Sequence, residues 1–160
     1  MKIEKYLSQS PIFALYRTQG ALIDNLQRVL MKEDVHLLQG LILTALFFEE
    51  RDVRPFEISS AFQVSKSNLS HALRGLEKKG FLKRSMHSTD ARGYLFNLTS
   101  QGKKKALNLV KLFDEIQDEL EKKMGVRSFR DFVQNLETLI KVYNSRFSFK
   151  TNTKTKTKTL

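Results

Sequence analysis

Between Ser65 and Arg74 the chain sets out hydroxyl, ammonium, amide, imidazole and guanidinium groups, and no acid interrupts them before Glu77. Groups of this kind recognise hydrogen-bond patterns and neutralise phosphates. Leu69, Ala72, Leu73 and Leu76 recur at helical spacing and predict a helix with one face to bury. Lys66, Ser67, Asn68, Ser70, His71 and Arg74 lie off that face. Ser65 is suited to cap the helix start, and Gly80 can adopt the left-handed conformation that ends it. An α-helix fills the major groove of duplex DNA, where Ser, Asn and His side chains meet base edges while Lys and Arg meet phosphates.

Charge points the same way. The chain has 160 residues and a formal net charge of +11, enough length for one domain with helical extensions and a polyanion as the natural partner. The stretch Ser65–Lys105 holds ten basic residues and two acidic ones, so +8 of that charge sits in a quarter of the chain. There is no cysteine, which excludes disulfides, thiolate metal ligands and thiol-based sensing. The N-terminal residues do not read as a signal peptide. The longest uncharged run, Val35–Phe48, is 14 residues against the ~20 a membrane span needs, so a cytoplasmic protein without a membrane partner is expected.

The elements that must position the polar helix follow from periodicity. Ser10-Pro11 opens a long amphipathic helix to about Met31. A second begins at Asp34, with Leu37, Leu38, Leu41, Ile42, Ala45 and Leu46 on one side and Leu43, Phe47 and Phe48 widening the apolar surface. Residues 51–54 form a charged break, and Pro55 starts a short helix with Ile58, Ala61 and Phe62 inward. After Gly80, Phe81–Met86 and Tyr94–Leu98 read as strands joined by a polar loop, residues 87–93, to give a hairpin with a basic rim. Thr99 to Gly102 open another long helix, which Gly125 ends, and Ser128 caps a last one. Residues 151–160, alternating Thr and Lys, have nothing to bury and are expected to be disordered.

Catalytic and metal chemistries find little support. His36, His71 and His87 lack a metal-ligand spacing, no nucleophile stands at a recognisable distance from a base, and no glycine loop could cradle a phosphate. The paired acids Asp114, Glu115, Asp118 and Glu119 fit a solvated helix face. No enzyme, cofactor or metal is expected.

Helix, short helix, turn, longer helix and basic hairpin, in that order, make a winged helix-turn-helix. Over Pro55–Gly102 the chain resembles the multiple-antibiotic-resistance regulator (MarR) family. The run from Pro55 to Ser70, continued by Leu76-Glu77-Lys78-Lys79-Gly80-Phe81-Leu82, carries the likeness. It is joined by Asp90-Ala91-Arg92 and by Leu98-Thr99 with Gly102, similar to that family's wing signature and the start of its next helix. The resemblance implies a bacterial transcription regulator, a homodimer whose two winged lobes grip a near-palindromic operator in double-stranded DNA. It also implies, for many members, release by a small aromatic or phenolic effector.

By the same resemblance Ser65 meets a phosphate, Ser67, Asn68 and His71 face bases, Arg92 enters the minor groove, and Asp90 holds the wing tip, though Asp90 is equally readable as a plain turn residue. Lys66, Ser70, Arg74, Lys83 and Arg84 complete the expected DNA surface. Arg54, Ser59, Gln63 and His71 depart from the family pattern, where a hydroxyl cap, a small Ala, a turn glycine and an Arg are usual.

The expected architecture is mainly α with a small β-hairpin wing, flanked by long N- and C-terminal dimerisation helices. Its segments are residues 1–33 (dimerisation helix), 34–100 (winged helix-turn-helix), 101–147 (dimerisation helices) and 148–160 (basic tail). A winged lobe of this size has little core to cover three long amphipathic helices, which favours a dimer. Two other readings share the pattern: a winged helix used to bind an acidic protein, and a DNA binder indifferent to sequence.

Overall fold

In the computed structural model, residues 2–49, 51–86 and 94–147 are described. Asp90, Arg92, the loop 87–93 that contains them, and the tail 148–160 lie outside the described residues. The chain forms two compact units, residues 1–112 and 113–160.

The described part of the first unit holds α1 (Lys2–Gln9), α2 (Pro11–Lys32), α3 (Leu37–Glu49), α4 (Pro55–Phe62), α5 (Lys66–Lys78), β1 (Leu82–Met86) and β2 (Tyr94–Leu98). It also holds the first half of α6 (Ser100–Met124). Helix α1 lies within the segment 1–33 expected as one dimerisation helix, but it is separate from the long helix expected from Ser10-Pro11. Ser10, in extended conformation, separates it from α2 and caps the latter by accepting from Phe13 N at 3.3 Å. The core gathers Leu30 of α2, Val35, Ile42 and Leu43 of α3 and its approach, Leu76 of α5 and Leu109 of α6, all fully buried.

Within the described part of the first unit, left-handed residues close three helices. Asp34 (φ 58°), Gln63 (φ 50°) and Gly80 (φ 73°) each follow a helix end. At each, the amide of that residue and of the next one bond back into the last turn: Asp34 N to Met31 O and Val35 N to Leu30 O, Gln63 N to Ser60 O and Val64 N to Ser59 O, Gly80 N to Glu77 O and Phe81 N to Leu76 O. This is the Schellman arrangement, which an apolar pair across the cap frequently accompanies. Leu30 with Val35, and Leu76 with Phe81, are accordingly buried.

These caps correct several expected boundaries. The second long helix begins at Leu37 and not at Asp34, because Asp34 closes α2. The first amides of α3 are then held by side chains, Leu37 N by Gln27 Oε1 at 2.9 Å and His36 N by Gln39 Oε1 at 3.1 Å. Phe81 is not a strand residue, since its amide serves the α5 cap. Ala61 is exposed rather than inward, leaving Ile58 as the buried residue of α4. Phe48, at the end of α3, projects out of the core at 67% exposure.

The expected hairpin forms with the register Leu82↔Leu98, Lys83↔Asn97, Arg84↔Phe96, Ser85↔Leu95 and Met86↔Tyr94. The charged break at 51–54 hides an apolar residue: Val53 is 4% exposed and bridges Phe96 through Val53 N to Phe96 O at 3.0 Å and Phe96 N to Val53 O at 2.9 Å. The wing base is thus sewn to the α3–α4 connection.

The second unit takes the end of α6 and α7 (Val126–Phe147). Gly125 (φ 82°) stops α6, as expected, and its carbonyl accepts from Phe129 N to start α7 at once. Ser128 therefore sits within the first turn of α7 and is not its cap. Val126, Phe132, Val133 and Ile140 stand exposed on α7, as do Ile116 and Leu120 on α6.

Candidate nucleic-acid interface

The polar helix of the sequence is α5, and its two faces separate as periodicity demands. Leu69, Ala72, Leu73 and Leu76 are buried, while Ser65, Lys66, Ser67, Asn68, Ser70, His71 and Arg74 are exposed. At its start Ser65 Oγ accepts from Asn68 N at 3.2 Å, holding an amide that no earlier carbonyl can reach.

The inner face is seated by a feature that periodicity did not reveal. Gln39 of α3 is buried at 6% exposure and its Nε2 donates to Ala72 O at 3.5 Å. Gly75 permits the approach, for a Cβ there would lie 2.4 Å from that same nitrogen. A small residue on one helix facing a buried amide on another was the available signal.

Helix α4 lies ahead of α5 and is itself held by charge. Arg54 replaces the usual hydroxyl cap, and the Glu57 carboxylate makes the helix start instead, Oε2 accepting from Arg54 N at 2.8 Å and Oε1 from Arg51 Nη2 at 2.7 Å. Arg51 reaches Glu49 as well, at 3.0 Å. The Arg51 hydrogen bond first, then that from the Arg54 amide, hold the Glu57 carboxyl below the usual carboxylate range, and the same pairing raises the Arg51 guanidinium.

The base of the wing has its own polar anchor. Asp52 accepts from Asn97 Nδ2 at 2.5 Å on β2 and from Ser85 Oγ at 3.3 Å on β1. With the Val53 bridge, it fixes the hairpin relative to the α3–α4 connection. At the same open end of the hairpin, Thr99 donates from Oγ1 to Gly80 O at 2.6 Å and accepts there from Gly102 N at 3.0 Å. Thr99 N donates to Phe81 O at 3.0 Å. The Leu-Thr-x-x-Gly spacing thus joins the end of α5 to the start of α6.

Not every cation of the basic stretch faces outward. Lys79 Nζ bonds to Asp34 O and to Asp34 Oδ1, the latter at 2.9 Å, and Lys105 Nζ meets Glu33 Oε2 at 2.9 Å. The end of α2 thereby takes up two of the ten. Lys83 is exposed on β1. Arg84 lies over the Tyr94 ring at 4.4 Å from its centroid, with Nε 3.6 Å from Glu77 Oε1. Arg92 and Asp90 lie outside the described residues, so the expected wing tip has no geometry here.

Among the described residues no three His, Cys, Asp or Glu side chains are grouped to hold a metal ion. No helix among them is long and apolar enough to cross a membrane.

Residues 37–94 match the model of the MarR family. The HTH-type transcriptional regulator PrsX of Escherichia coli is 31% identical over 87 residues, 54% of this chain, and the chain spans about half the length of that curated relative, 52%. A Staphylococcus aureus MepR–DNA complex superposes with a TM-score of 0.76 at 21% identity, covering 83% of this chain and 98% of that one. The regulator BldR from Sulfolobus solfataricus gives 0.72 at 19% identity, with 88% and 98% covered. At these identities the likeness establishes the fold, a mainly α chain with a β-hairpin wing. With the family model matched from α3 to the start of the second wing strand, the winged helix-turn-helix of this chain is similar to that of the MarR family.

Proposed function

We propose that the protein is a transcription regulator that binds a near-palindromic operator as a homodimer, with α5 in the major groove and the wing beside it. The observation that carries this reading is the division of α5. Every apolar residue of its periodic set is buried, and every hydrogen-bonding or cationic residue expected to meet DNA is exposed, on a helix closed by its own caps.

In this reading Ser67, Asn68 and His71 read base edges, Ser65, Lys66, Ser70, Arg74 and Lys83 meet the backbone, and Arg92 enters the minor groove with Asp90 at the wing tip. The protein binds and does not catalyse, in keeping with relatives described as transcriptional regulators.

The dimer reading rests on apolar faces that one chain leaves bare. Tyr6, Ile12, Tyr16 and Leu22 on α1 and α2, and Phe132, Val133 and Ile140 on α7, are all exposed. Residues 1–33 and 101–147 would supply the dimer contacts, while residues 34–100 supply the DNA lobe. Two such lobes bind when their α5 helices stand about 34 Å apart, one turn of DNA. A small aromatic or phenolic effector would act by favouring a dimer in which that spacing is lost.

The test is selection of bound duplexes from a random pool at two salt concentrations. A regulator enriches one symmetric site, bound ~10³-fold or more over unrelated duplex. Asn68→Ala should relax preference at one position in each half-site at a cost of ~1–3 kcal/mol, while Lys83→Ala weakens all sequences alike. Equal affinity for every duplex would leave a sequence-indifferent binder, and absence of salt-sensitive binding would leave a protein-interaction module.

A further inference from the structure

Arg84 stands on the basic wing with its side chain half exposed, yet its guanidinium lies against groups of the protein itself. It stacks on Tyr94 at 4.4 Å and lies 3.6 Å from the Glu77 carboxylate. The three residues come from three elements: Glu77 from α5, Arg84 from β1 and Tyr94 from β2. In the hairpin register Arg84 sits opposite Phe96, so Tyr94 is its diagonal neighbour two residues along, within reach of a long side chain. An arginine suits this place better than a lysine, because a planar guanidinium can lie on a ring while its edge faces an acid. Lys83, the preceding residue, is paired across the ladder with Asn97 and its side chain has no such seat.

We propose that Arg84 is a positioning residue that sets the angle between the wing and α5, and that its charge is not offered to a DNA phosphate. The proposal rests on the DNA-binding reading above. Glu77 and Tyr94 hold the guanidinium from opposite elements, so the hairpin is braced against the helix that reads bases. Site preference depends on that brace, because the wing and the helix must address adjacent grooves of one duplex together.

The brace and a phosphate contact differ in a measurable way. Each phosphate neutralised by a side chain contributes about 0.9 to the slope of log K against log salt concentration. Full-length wild type, Lys83→Ala, Arg84→Ala, Arg84→Lys and Tyr94→Leu are titrated with the selected site and a scrambled duplex across a salt series. Lys83→Ala should lower the slope by about 0.9 on both duplexes.

Arg84→Ala and Tyr94→Leu should keep the wild-type slope, and each should lower the preference for the selected site by about 2- to 5-fold, the range expected of an exposed cation–π contact. The double variant should lose no more than either single one, and Arg84→Lys should recover only part of the preference. A slope lowered by Arg84→Ala as much as by Lys83→Ala overturns the proposal, as does Tyr94→Leu leaving site preference intact.

Amide exchange on the DNA-free chain supplies an independent reading. Exchange in Leu82–Met86 and Tyr94–Leu98 should quicken in Arg84→Ala and Tyr94→Leu while α3 is unaffected. Unchanged exchange in both overturns the brace alone. Wild type that binds no duplex overturns the DNA-binding reading and, with it, the role in site preference.

Discussion

Replacing Gly102 with alanine tests the junction that carries the wing into α6. A Cβ at Gly102 would lie 2.0 Å from the Phe81 carbonyl oxygen, 2.9 Å from its carbon and 3.2 Å from its Cα. These are backbone atoms fixed by the α5 cap, so no rotamer change relieves the clash. Ordinary contact, at 3.4 Å or more, requires α6 to retreat by about 1.4 Å.

That retreat stretches Thr99 N to Phe81 O, now 3.0 Å, and Thr99 Oγ1 to Gly80 O, now 2.6 Å, beyond hydrogen-bonding distance. Two lost bonds at ~1 kcal/mol each, with ~1–3 kcal/mol of overpacking, give a loss of about 3–5 kcal/mol. A domain stable by ~5–15 kcal/mol feels that as a large fraction of its total. Gly20 is the control: it lies within α2 with nothing within 4 Å of a built Cβ, and Gly20→Ala should gain up to ~1 kcal/mol from helix propensity. Urea denaturation, read as a change in midpoint at constant slope, measures both. A Gly102→Ala chain that loses under ~1 kcal/mol would refute the reasoning.

Gln63 occupies the left-handed turn between α4 and α5 at φ 50°, so Gln63→Gly should stabilise the protein by roughly 0.5–1 kcal/mol, and an unchanged urea midpoint would show that no strain is held there. Glu57 has a folded-state pKa held below its ordinary value, so its contribution is present above the unfolded value and is lost as pH falls through the folded one. Glu57→Gln should therefore be less stable than wild type at pH 7, with the difference closing in acid; a gap that stayed constant with pH would refute the pairing with Arg51 and Arg54. Ser65→Ala removes the acceptor for Asn68 N and should cost about 1 kcal/mol by the same denaturation assay, while Ser65→Asp should retain most of the stability.

The polar helix α5 was legible in the sequence because it depends on local rules. Period 3.6 placed Leu69, Ala72, Leu73 and Leu76 inward, and the chemistry of Ser65 and Gly80 marked its ends. The hairpin strand Tyr94–Leu98 and the stop at Gly125 were readable on the same grounds. Motif spacing added the resemblance to the MarR family and the place of Thr99 and Gly102.

Partners distant in the chain had no local signature. Asp34 looked like a helix start because acids favour that position, but the bonds from Asp34 N and Val35 N back to Met31 O and Leu30 O, with Leu30 and Val35 both buried, make it a left-handed helix end. Val53 was hidden among charges until Phe96, 43 residues on, came alongside it. The charge count foretold a basic surface without saying that Asp34, Glu33 and Glu77 lie against Lys79, Lys105 and Arg84.

What the sequence determined by itself is which side of α5 is buried and which chemistry the other side carries, since both follow from residue type and helical period. Which cations remain available to a partner, and at what angle the wing stands, only the tertiary structure decided, because an ion pair or a stacked ring depends on elements that meet in space after the chain has turned.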